Sequence, residues 1–285
     1  MKIFGIFGYP LKHTLSPAMH NPAFQKLGID AGYLPFELSP KTFKSVMKEL
    51  GKTPLQGFNV TVPYKETVIP YLDRISPGAA AVGAVNTVKR RGKKFFGYNT
   101  DVDGFVRALS EAGLKPAGKK AVILGAGGAA RACVAGFLRE KAASIRLFNA
   151  AFDFERARKL KRHFLKRFPR APLEIFVLNE KDLNRELEDS CVLVNATSVG
   201  MKKEDPVLIP ARVLPKRKIL AFDVIYNPAE TAFLRLARLK GHKTANGLSM
   251  LFYQGVKAFE IWTGRKAPLE VMRKSLLNAL EGNRK

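Results

Sequence analysis

A lysine and an aspartate stand out as residues that could carry chemistry. The stretch "NVTVPYKE" places Asn59 and Thr61 in an apolar strand and delivers Lys65 just after Pro63. We expect Lys65 in the first turn of a helix, where a cation opposes the helix dipole. A lysine held beside a carboxylate can exchange a proton with a carbonyl and alcohol pair once its pKa is tuned. Asp101, at the end of "GYNTD", is the natural partner.

Uncharged polar side chains also end several apolar stretches in the first hundred residues. They are Thr14 and Ser16 in "HTLSP", Asn86 in "AVNT" and Asn99 in "GYNTD". Such groups are costly to bury unless they are hydrogen-bonded, and neighbouring loops could satisfy them. Ligands of open α/β sheets bind outside the carboxyl ends of strands, where hydroxyls and amides would suit a polyol.

A glycine loop follows an apolar strand in the middle of the chain. The stretch "ILGAGGAAR" has Gly125, Gly127 and Ala130 in a G-x-G-x-x-A arrangement that opens a helix. The first glycine permits a tight turn, the second lets the backbone approach a pyrophosphate, and the alanine keeps helix and strand close. Helix N–H groups then bind the anionic oxygens. The motif and its context predict dinucleotide binding.

The end of the next strand should distinguish NAD from NADP. An acidic residue there hydrogen-bonds the ribose diol of NAD, and a basic residue meets the 2′-phosphate of NADP. The segment "NAAFDFERARK" has neither directly after Asn149; Asp153 comes four residues later, and Arg156 and Arg158 follow. The segment by itself leaves both cofactors open.

The elements around these residues predict an α/β fold with two domains. Strands alternate with helices from Lys119 onward, which is typical of a parallel sheet. The first hundred residues show a second alternation that ends in a hairpin, "AVNTVKRRGKKFFGYN". We expect an N-terminal open α/β substrate-binding catalytic domain of residues 1–101 and 241–285. A Rossmann-type dinucleotide-binding domain would occupy residues 102–240, with the active site in the cleft between the domains and the last two helices packed on the first.

Composition excludes several classes of protein. The 285 residues are 46% hydrophobic, enough for a packed core. The apolar start "MKIFGIFG" is too short for a signal peptide or a membrane span, so we expect a cytoplasmic protein without a membrane partner. Cys133 and Cys191 have neither metal-ligand nor disulfide spacing, and no metal is expected.

The formal net charge of +25 makes nucleic acid an obvious partner to consider. The basic clusters "KRRGKK" and "RARKLKRHFLKRFPR" are typical of a hairpin turn and of the solvated face of a helix. No stacking or recognition motif accompanies the charge. A basic nucleic-acid-binding protein with a dehydrogenase-like fold is therefore a remote alternative, and we expect no nucleic-acid partner.

Several motifs together carry a resemblance to a known family. In chain order they are "HTLSPAMHN", "NVTVPYKE", "GAVNTV", "GYNTD", "LGAGGAAR", "NATSVGM", "VIYNP" and "ANGLSMLFYQG". Over essentially the whole chain, this set resembles shikimate dehydrogenase. The resemblance implies reversible reduction of 3-dehydroshikimate to shikimate by NADPH in aromatic amino acid and chorismate biosynthesis. It implies direct hydride transfer without a metal, by a monomer or homodimer.

The resemblance also implies roles for individual residues. Lys65 and Asp101 would be the catalytic acid–base pair. The substrate-binding residues would be Thr14, Ser16, Asn59, Thr61, Asn86, Tyr226 and Gln254. The cofactor-binding residues would be Gly125, Ala126, Gly127, Gly128, Ala129, Asn149, Thr197, Gly247 and Met250.

Two positions depart from the family pattern. Thr14 stands where the family usually has serine, which keeps the hydroxyl and adds a methyl group. Ala150 and Ala151 stand where NADP-using members resemble N-R-T, so the arginine that grips the 2′-phosphate is missing. Losing such a charge-assisted contact costs about 10- to 150-fold in affinity. Arg156 or Arg158 could replace it, and an NAD-dependent quinate/shikimate dehydrogenase is the alternative function.

Overall fold

Two six-stranded sheets organise the chain into two units. The computed structural model describes residues 1–11, 14–202 and 204–282. The first unit comprises Met1–Asp101 and the chain from Phe252 onward, and the second comprises Val102–Leu251. The prediction of an α/β fold with two parallel-rich sheets is confirmed. The predicted boundary at residue 241 differs from the observed one, because residues 243–245 form a strand in the sheet of the second unit.

The first unit contains a mixed sheet with helices along its strands. Its elements are β1 (Lys2–Gly8), α1 (Ser16–Lys26), β2 (Ala31–Glu37), α2 (Pro40–Lys48), β3 (Leu55–Val60), β4 (Arg74–Ile75), α3 (Pro77–Val82), β5 (Thr87–Arg91) and β6 (Lys94–Tyr98). The strand order is β2-β1-β3-β5-β6-β4. Strand β1 runs parallel to β2 and β3, and β5 runs antiparallel to both β3 and β6. The β5–β6 pair confirms the predicted hairpin.

The segment that carries Lys65 differs from the prediction of a helical turn. Residues 62–68 form a series of turns after β3, and a short 3-10 helix follows at Ile69–Tyr71. The ring of Tyr64 stacks on Phe43 at 3.9 Å between centroids, and its hydroxyl donates to the carbonyl of Leu38. The stacked ring anchors the segment to α2, and the bond to Leu38 anchors it to the chain just before that helix.

The second unit contains a parallel sheet with the Rossmann pattern. Its elements are α4 (Asp101–Glu111), β7 (Lys120–Leu124), α5 (Gly128–Arg139), β8 (Ser144–Asn149), α6 (Phe154–Arg167), β9 (Leu173–Val177), α7 (Glu180–Leu187), β10 (Ser190–Asn195), β11 (Leu220–Asp223), α8 (Ala232–Leu239) and β12 (Lys243–Ala245). The strand order is β12-β11-β10-β7-β8-β9. The order reverses between β7 and β10, which is where such sheets bind their ligands.

Two helices complete the described chain, α9 (Leu248–Thr263) and α10 (Leu269–Gly282). Helix α10 packs against α1 of the first unit, as the sequence predicted. The indole Nε1 of Trp262, near the end of α9, donates to the carbonyl of Val88 at 2.9 Å. This bond ties α9 to the central part of the first sheet.

Each unit has its own core of buried aromatic and aliphatic side chains. In the first, the rings of Phe7 and Phe58 lie 4.8 Å apart. In the second, Phe105 meets Phe137 and Phe222 edge to face at 5.2 and 5.4 Å. Each of these buried rings contributes about 1.5–3 kcal/mol by leaving water. Across residues 1–11, 14–202 and 204–282, no helix is long and apolar enough to cross a membrane.

His20 in α1 is a buried polar residue in the core of the first unit. Its ring stacks on Tyr33 at 4.6 Å between centroids and is fully buried. Within the part of the chain that the structure describes, neither ring nitrogen has a hydrogen-bond partner. Burial lowers the pKa of His20 from 6.5 to about 3, so the ring is neutral in the folded protein at ordinary pH.

We predict that His20→Phe flattens the dependence of stability on pH. In the unfolded chain His20 binds a proton near pH 6.5, so the wild type loses up to about 1.4 kcal/mol per pH unit below that value, down to about pH 3. Phenylalanine keeps a flat aromatic ring, slightly larger than imidazole, without two unsatisfied nitrogens, and we expect no net loss of stability at pH 8. Urea unfolding at pH 8 and pH 5 measures both effects. Equal stability losses between pH 8 and pH 5 in the two proteins would contradict this role of His20.

Candidate functional site

Lys65 and Asp101 form a direct ion pair in the first unit. The Lys65 Nζ donates to the Asp101 Oδ2 at 2.6 Å, and the two side chains are only 16% and 7% exposed. Asp101 is the first residue of α4, and its backbone N–H donates to the Asn99 side chain at 3.1 Å. The ammonium group of Lys65 therefore carries a transferable proton in surroundings with little water, where the attraction between the two charges is strong.

Asn86 links this pair to the end of the hairpin. Its Nδ2 donates to the Asp101 Oδ1 at 2.8 Å and to the Thr100 Oγ1 at 2.9 Å. Its Oδ1 accepts from the Thr100 backbone N–H at 2.7 Å. Gln254 in α9 adds a longer contact, at 3.3 Å between Asn86 Nδ2 and Gln254 Oε1. The carboxylate of Asp101 thus has a partner on each oxygen, which fixes its orientation.

Asn59, at the end of β3, donates both of its amide hydrogens to neighbouring residues. Its Nδ2 donates to the Asn86 carbonyl at 2.9 Å and to the Thr87 Oγ1 at 3.0 Å. Its Oδ1 accepts from the Tyr33 hydroxyl at 2.7 Å. With both amide hydrogens used, Asn59 holds the backbone that carries Asn86.

Three hydroxyl residues of the predicted substrate site also lie in the first unit. Ser16 begins α1 and is buried, and its backbone N–H lies 3.4 Å from the Thr14 Oγ1. Thr61 directly follows β3, with its N–H bonded to the carbonyl of Phe7 at 2.8 Å. Tyr226 belongs to the second unit, where it follows β11 and burial raises the pKa of its phenol. Most of the predicted substrate residues therefore belong to the first unit, and Tyr226 belongs to the second.

The glycine loop joins β7 to α5 as the motif predicts. Gly125 has φ +100°, a conformation that side chains rarely adopt, and a Cβ there would lie 2.8 Å from the Thr197 Cγ2. Its N–H donates to the Phe148 carbonyl in β8 at 2.7 Å. Gly127 precedes the first residue of α5, where helix N–H groups lack intrahelical partners. The predicted cofactor residues of this loop are Gly125, Ala126, Gly127, Gly128 and Ala129.

Arg156 in the first turn of α6 reaches toward the glycine loop. Its Nη2 lies 3.8 Å from the position that a Cβ on Gly127 would occupy. Arg158 is directed elsewhere: its Nη1 lies 3.5 Å from the Glu155 Oε2, and its guanidinium covers the Phe154 ring at 5.2 Å. Of the two arginines that the sequence left open, Arg156 is the one beside the loop.

Four further predicted cofactor residues lie near strand ends or at a helix start. The Thr197 Oγ1, just after β10, donates to the Asn195 Oδ1 at 2.7 Å. A Cβ on Gly247 would overlap the Val224 carbonyl, so only glycine fits there. Met250 is buried in the first turn of α9. Asn149 ends β8, and its Nδ2 donates to the Asp153 carbonyl at 2.7 Å, so this amide holds the turn before α6.

Sequence reasoning missed four residues that hold the site. Thr87, Thr100 and Tyr33 complete the polar network of the first unit, and the Asn195 Nδ2 donates to the buried Asp223 carboxylate at 3.1 Å in the second. The repeated Asn-Thr pairs in "AVNTV" and "GYNTD" were a usable signal. Both pairs flank the β5–β6 hairpin, where Thr87 lies opposite Tyr98, so their side chains meet.

We predict that Asn86→Ala destabilises the protein by about 1–3 kcal/mol, because buried groups of Asp101 and Thr100 would lose their partner. The matched control is Gln56→Ala, since the bond from the Gln56 side chain to the carbonyl of Pro54 is exposed to solvent. Urea unfolding of the two variants and the wild type measures the difference. Equal stability of Asn86→Ala and Gln56→Ala would show that the network contributes nothing to folding.

Two family models and a curated relative match this chain. The model of the shikimate dehydrogenase substrate binding domain matches residues 6–88, and that of the shikimate 5′-dehydrogenase C-terminal domain matches residues 247–277. A shikimate dehydrogenase (NADP(+)) from Desulforamulus reducens is 42% identical, over 96% of this chain and 94% of the relative.

Solved structures show the same similarity. Shikimate dehydrogenase from Aquifex aeolicus has a TM-score of 0.86 at 38% identity and covers 97% of each chain. The Thermus thermophilus enzyme, solved in complex with NADP(H) and shikimate, has a TM-score of 0.84 at 34% identity, over 98% of this chain and 100% of its own. With these matches over nearly its whole length, the chain belongs to the shikimate dehydrogenase family.

Proposed function

We propose that this chain catalyses the reversible reduction of 3-dehydroshikimate to shikimate with NADPH, in the biosynthesis of chorismate and the aromatic amino acids. The observation that carries the proposal is the buried ion pair of Lys65 and Asp101, 2.6 Å apart within a network of amides and hydroxyls. We place the protein in the cytoplasm, as a monomer or homodimer acting on a small-molecule substrate without a nucleic-acid or membrane partner.

Lys65 and Asp101 donate and accept the proton of the reaction. In the reductive direction, a proton from the pair joins the substrate oxygen as that oxygen becomes a hydroxyl, and in the oxidative direction the pair takes the proton back. Asp101 holds the ammonium group in place through the 2.6 Å bond, and Asn86 holds Asp101. NADPH, when bound, supplies the hydride that the substrate carbon receives.

The substrate is a carboxylated ring with several hydroxyl groups, and the polar residues of the first unit suit such a molecule. We assign Thr14, Ser16 and Thr61 to the carboxylate and ring hydroxyls, together with Asn86, Gln254 and Tyr226. Asn59 acts mainly by holding the others, because both of its amide hydrogens bond within the protein. Its remaining acceptor position is open to a substrate hydroxyl.

The second unit supports NADP as the cofactor. Gly127 leaves backbone room for a pyrophosphate, and the N-terminus of α5 offers N–H groups to it. The family arginine after Asn149 is missing, and the Arg156 Nη2, 3.8 Å from the Cβ position of Gly127, supplies positive charge beside the glycine loop. We assign the 2′-phosphate to Arg156. Thr197, Gly247 and Met250 complete the cofactor residues.

The decisive experiment compares initial rates of shikimate oxidation with NADP and with NAD, and adds quinate as a second substrate. The proposal requires strong preference for NADP and shikimate. Preference for NAD together with activity on quinate would replace it by an NAD-dependent quinate/shikimate dehydrogenase, the function that Ala150 and Ala151 would favour.

We predict that Lys65→Ala lowers kcat for shikimate oxidation by about 10²- to 10⁴-fold, the usual contribution of a general acid–base group. The matched control is Lys44→Ala, which removes an exposed lysine from α2 in the same unit and should leave kcat unchanged. Circular dichroism establishes that both variants are folded. A folded Lys65→Ala variant with most of its turnover would remove Lys65 from the catalytic pair.

We predict that Arg156→Ala raises the KM for NADP by about 10- to 150-fold, because the 2′-phosphate loses a charge-assisted contact. The KM for NAD should change much less, since NAD lacks that phosphate. Arg158→Ala is the matched control, because its guanidinium lies on Glu155 and Phe154. Equal effects of Arg156→Ala on the two cofactors, or an effect confined to Arg158→Ala, would overturn the assignment.

A further inference from the structure

Phe152 is more exposed than any other large apolar side chain that the structure describes. Its side chain is 96% exposed, at the middle of the 3-10 turn Ala151–Asp153 between β8 and α6. A phenylalanine ring left in water forgoes about 1.5–3 kcal/mol of burial free energy. Because Ala150 and Ala151 before it present only methyl groups, nothing on that side of the turn covers the ring.

The turn is held firmly by hydrogen bonds. The Asn149 Nδ2 donates to the Asp153 carbonyl at 2.7 Å, and the Asp153 N–H donates to the Ala150 carbonyl at 3.1 Å. Asn149 itself is buried and belongs to the sheet, where its carbonyl accepts from Leu178. The ring of Phe152 is therefore presented to solvent from a fixed backbone.

The position of the turn relates the ring to the nucleotide. In this fold the pyrophosphate lies over the glycine loop, and the adenosine ribose lies at the end of the second strand, here β8. The turn with Phe152 follows the end of β8 directly, so it lies at the adenosine end of such a site.

We propose that Phe152 forms the stacking surface for the adenine ring of NADP. The inference rests on the proposed NADP-dependent function and adds a residue that sets cofactor affinity. Aromatic side chains stack on bases whatever their hydrogen-bonding edges, through dispersion and the exclusion of water. A flat adenine face on the exposed Phe152 ring would cover the apolar surface that the free protein leaves in water.

The test compares full-length Phe152→Ala, Phe152→Trp and wild type, with Phe168→Ala as the matched control. Phe168 is another exposed phenylalanine, 42% accessible, at the far end of α6. Calorimetric titration with NADP and with adenosine 2′,5′-bisphosphate gives dissociation constants, and shikimate oxidation gives kcat and KM. We expect Phe152→Ala to weaken both ligands by the same factor, about 5- to 100-fold. Its KM for NADP in shikimate oxidation should rise in parallel with these dissociation constants.

Phe152→Trp should restore both affinities and report the stacking directly. Trp262 is the one tryptophan of the chain, so an added indole whose fluorescence falls with adenosine 2′,5′-bisphosphate identifies contact with adenine. Ribose 5-phosphate should cause no such change. Affinities of Phe152→Ala within twofold of wild type, or no restoration in Phe152→Trp, would overturn the proposal. Wild-type oxidation of shikimate tests the function separately, because it does not depend on the outcome for Phe152.

Discussion

The buried contact between Lys65 and Asp101 is the constraint on which the first unit depends. An ion pair at 2.6 Å with little exposure to water is stable only when neighbouring groups hydrogen-bond the donors and acceptors that the pair leaves unpaired. The hairpin and α9 supply those groups through Asn86 and Gln254. Lys65 and Asn86, from separate segments, therefore meet on one carboxylate, and α9 reaches it indirectly through the contact of Gln254 with Asn86.

The polar network also explains why polar residues, which are costly to bury, occupy strand ends. The Tyr33 hydroxyl orients Asn59, and Asn59 in turn bonds the backbone carbonyl of Asn86. These two uncharged residues thereby position the side chain of Asn86 beside Asp101. A half-satisfied network would be worse than an apolar core, because each unpaired buried group keeps its full desolvation cost. Precise placement of a proton donor and the stability of the sheet thus arise from the same hydrogen bonds.

The candidate site of the second unit is built on backbone N–H groups at the start of α5 and not on an ion pair. Because Gly125 and Gly127 have no side chains, a ligand can approach the backbone N–H groups of the loop. Arg156 of helix α6 adds a positive charge beside them. Helix α6, whose first turn carries Arg156, holds seven of the 49 lysine and arginine residues of the chain. Such charge attracts anionic ligands over distances of about 10 Å at ordinary ionic strength.

The sequence by itself determined the fold class, the glycine loop and the identity of the paired residues, because each follows from local periodicity, backbone needs or residue chemistry. It did not determine how Lys65 is held, since the turn at 62–68 depends on the packing of Tyr64 against α2. It also left the basic partner of a 2′-phosphate open between two arginines. Only the tertiary structure brings Arg156 to the glycine loop and directs Arg158 away, because side-chain direction depends on neighbours distant in sequence.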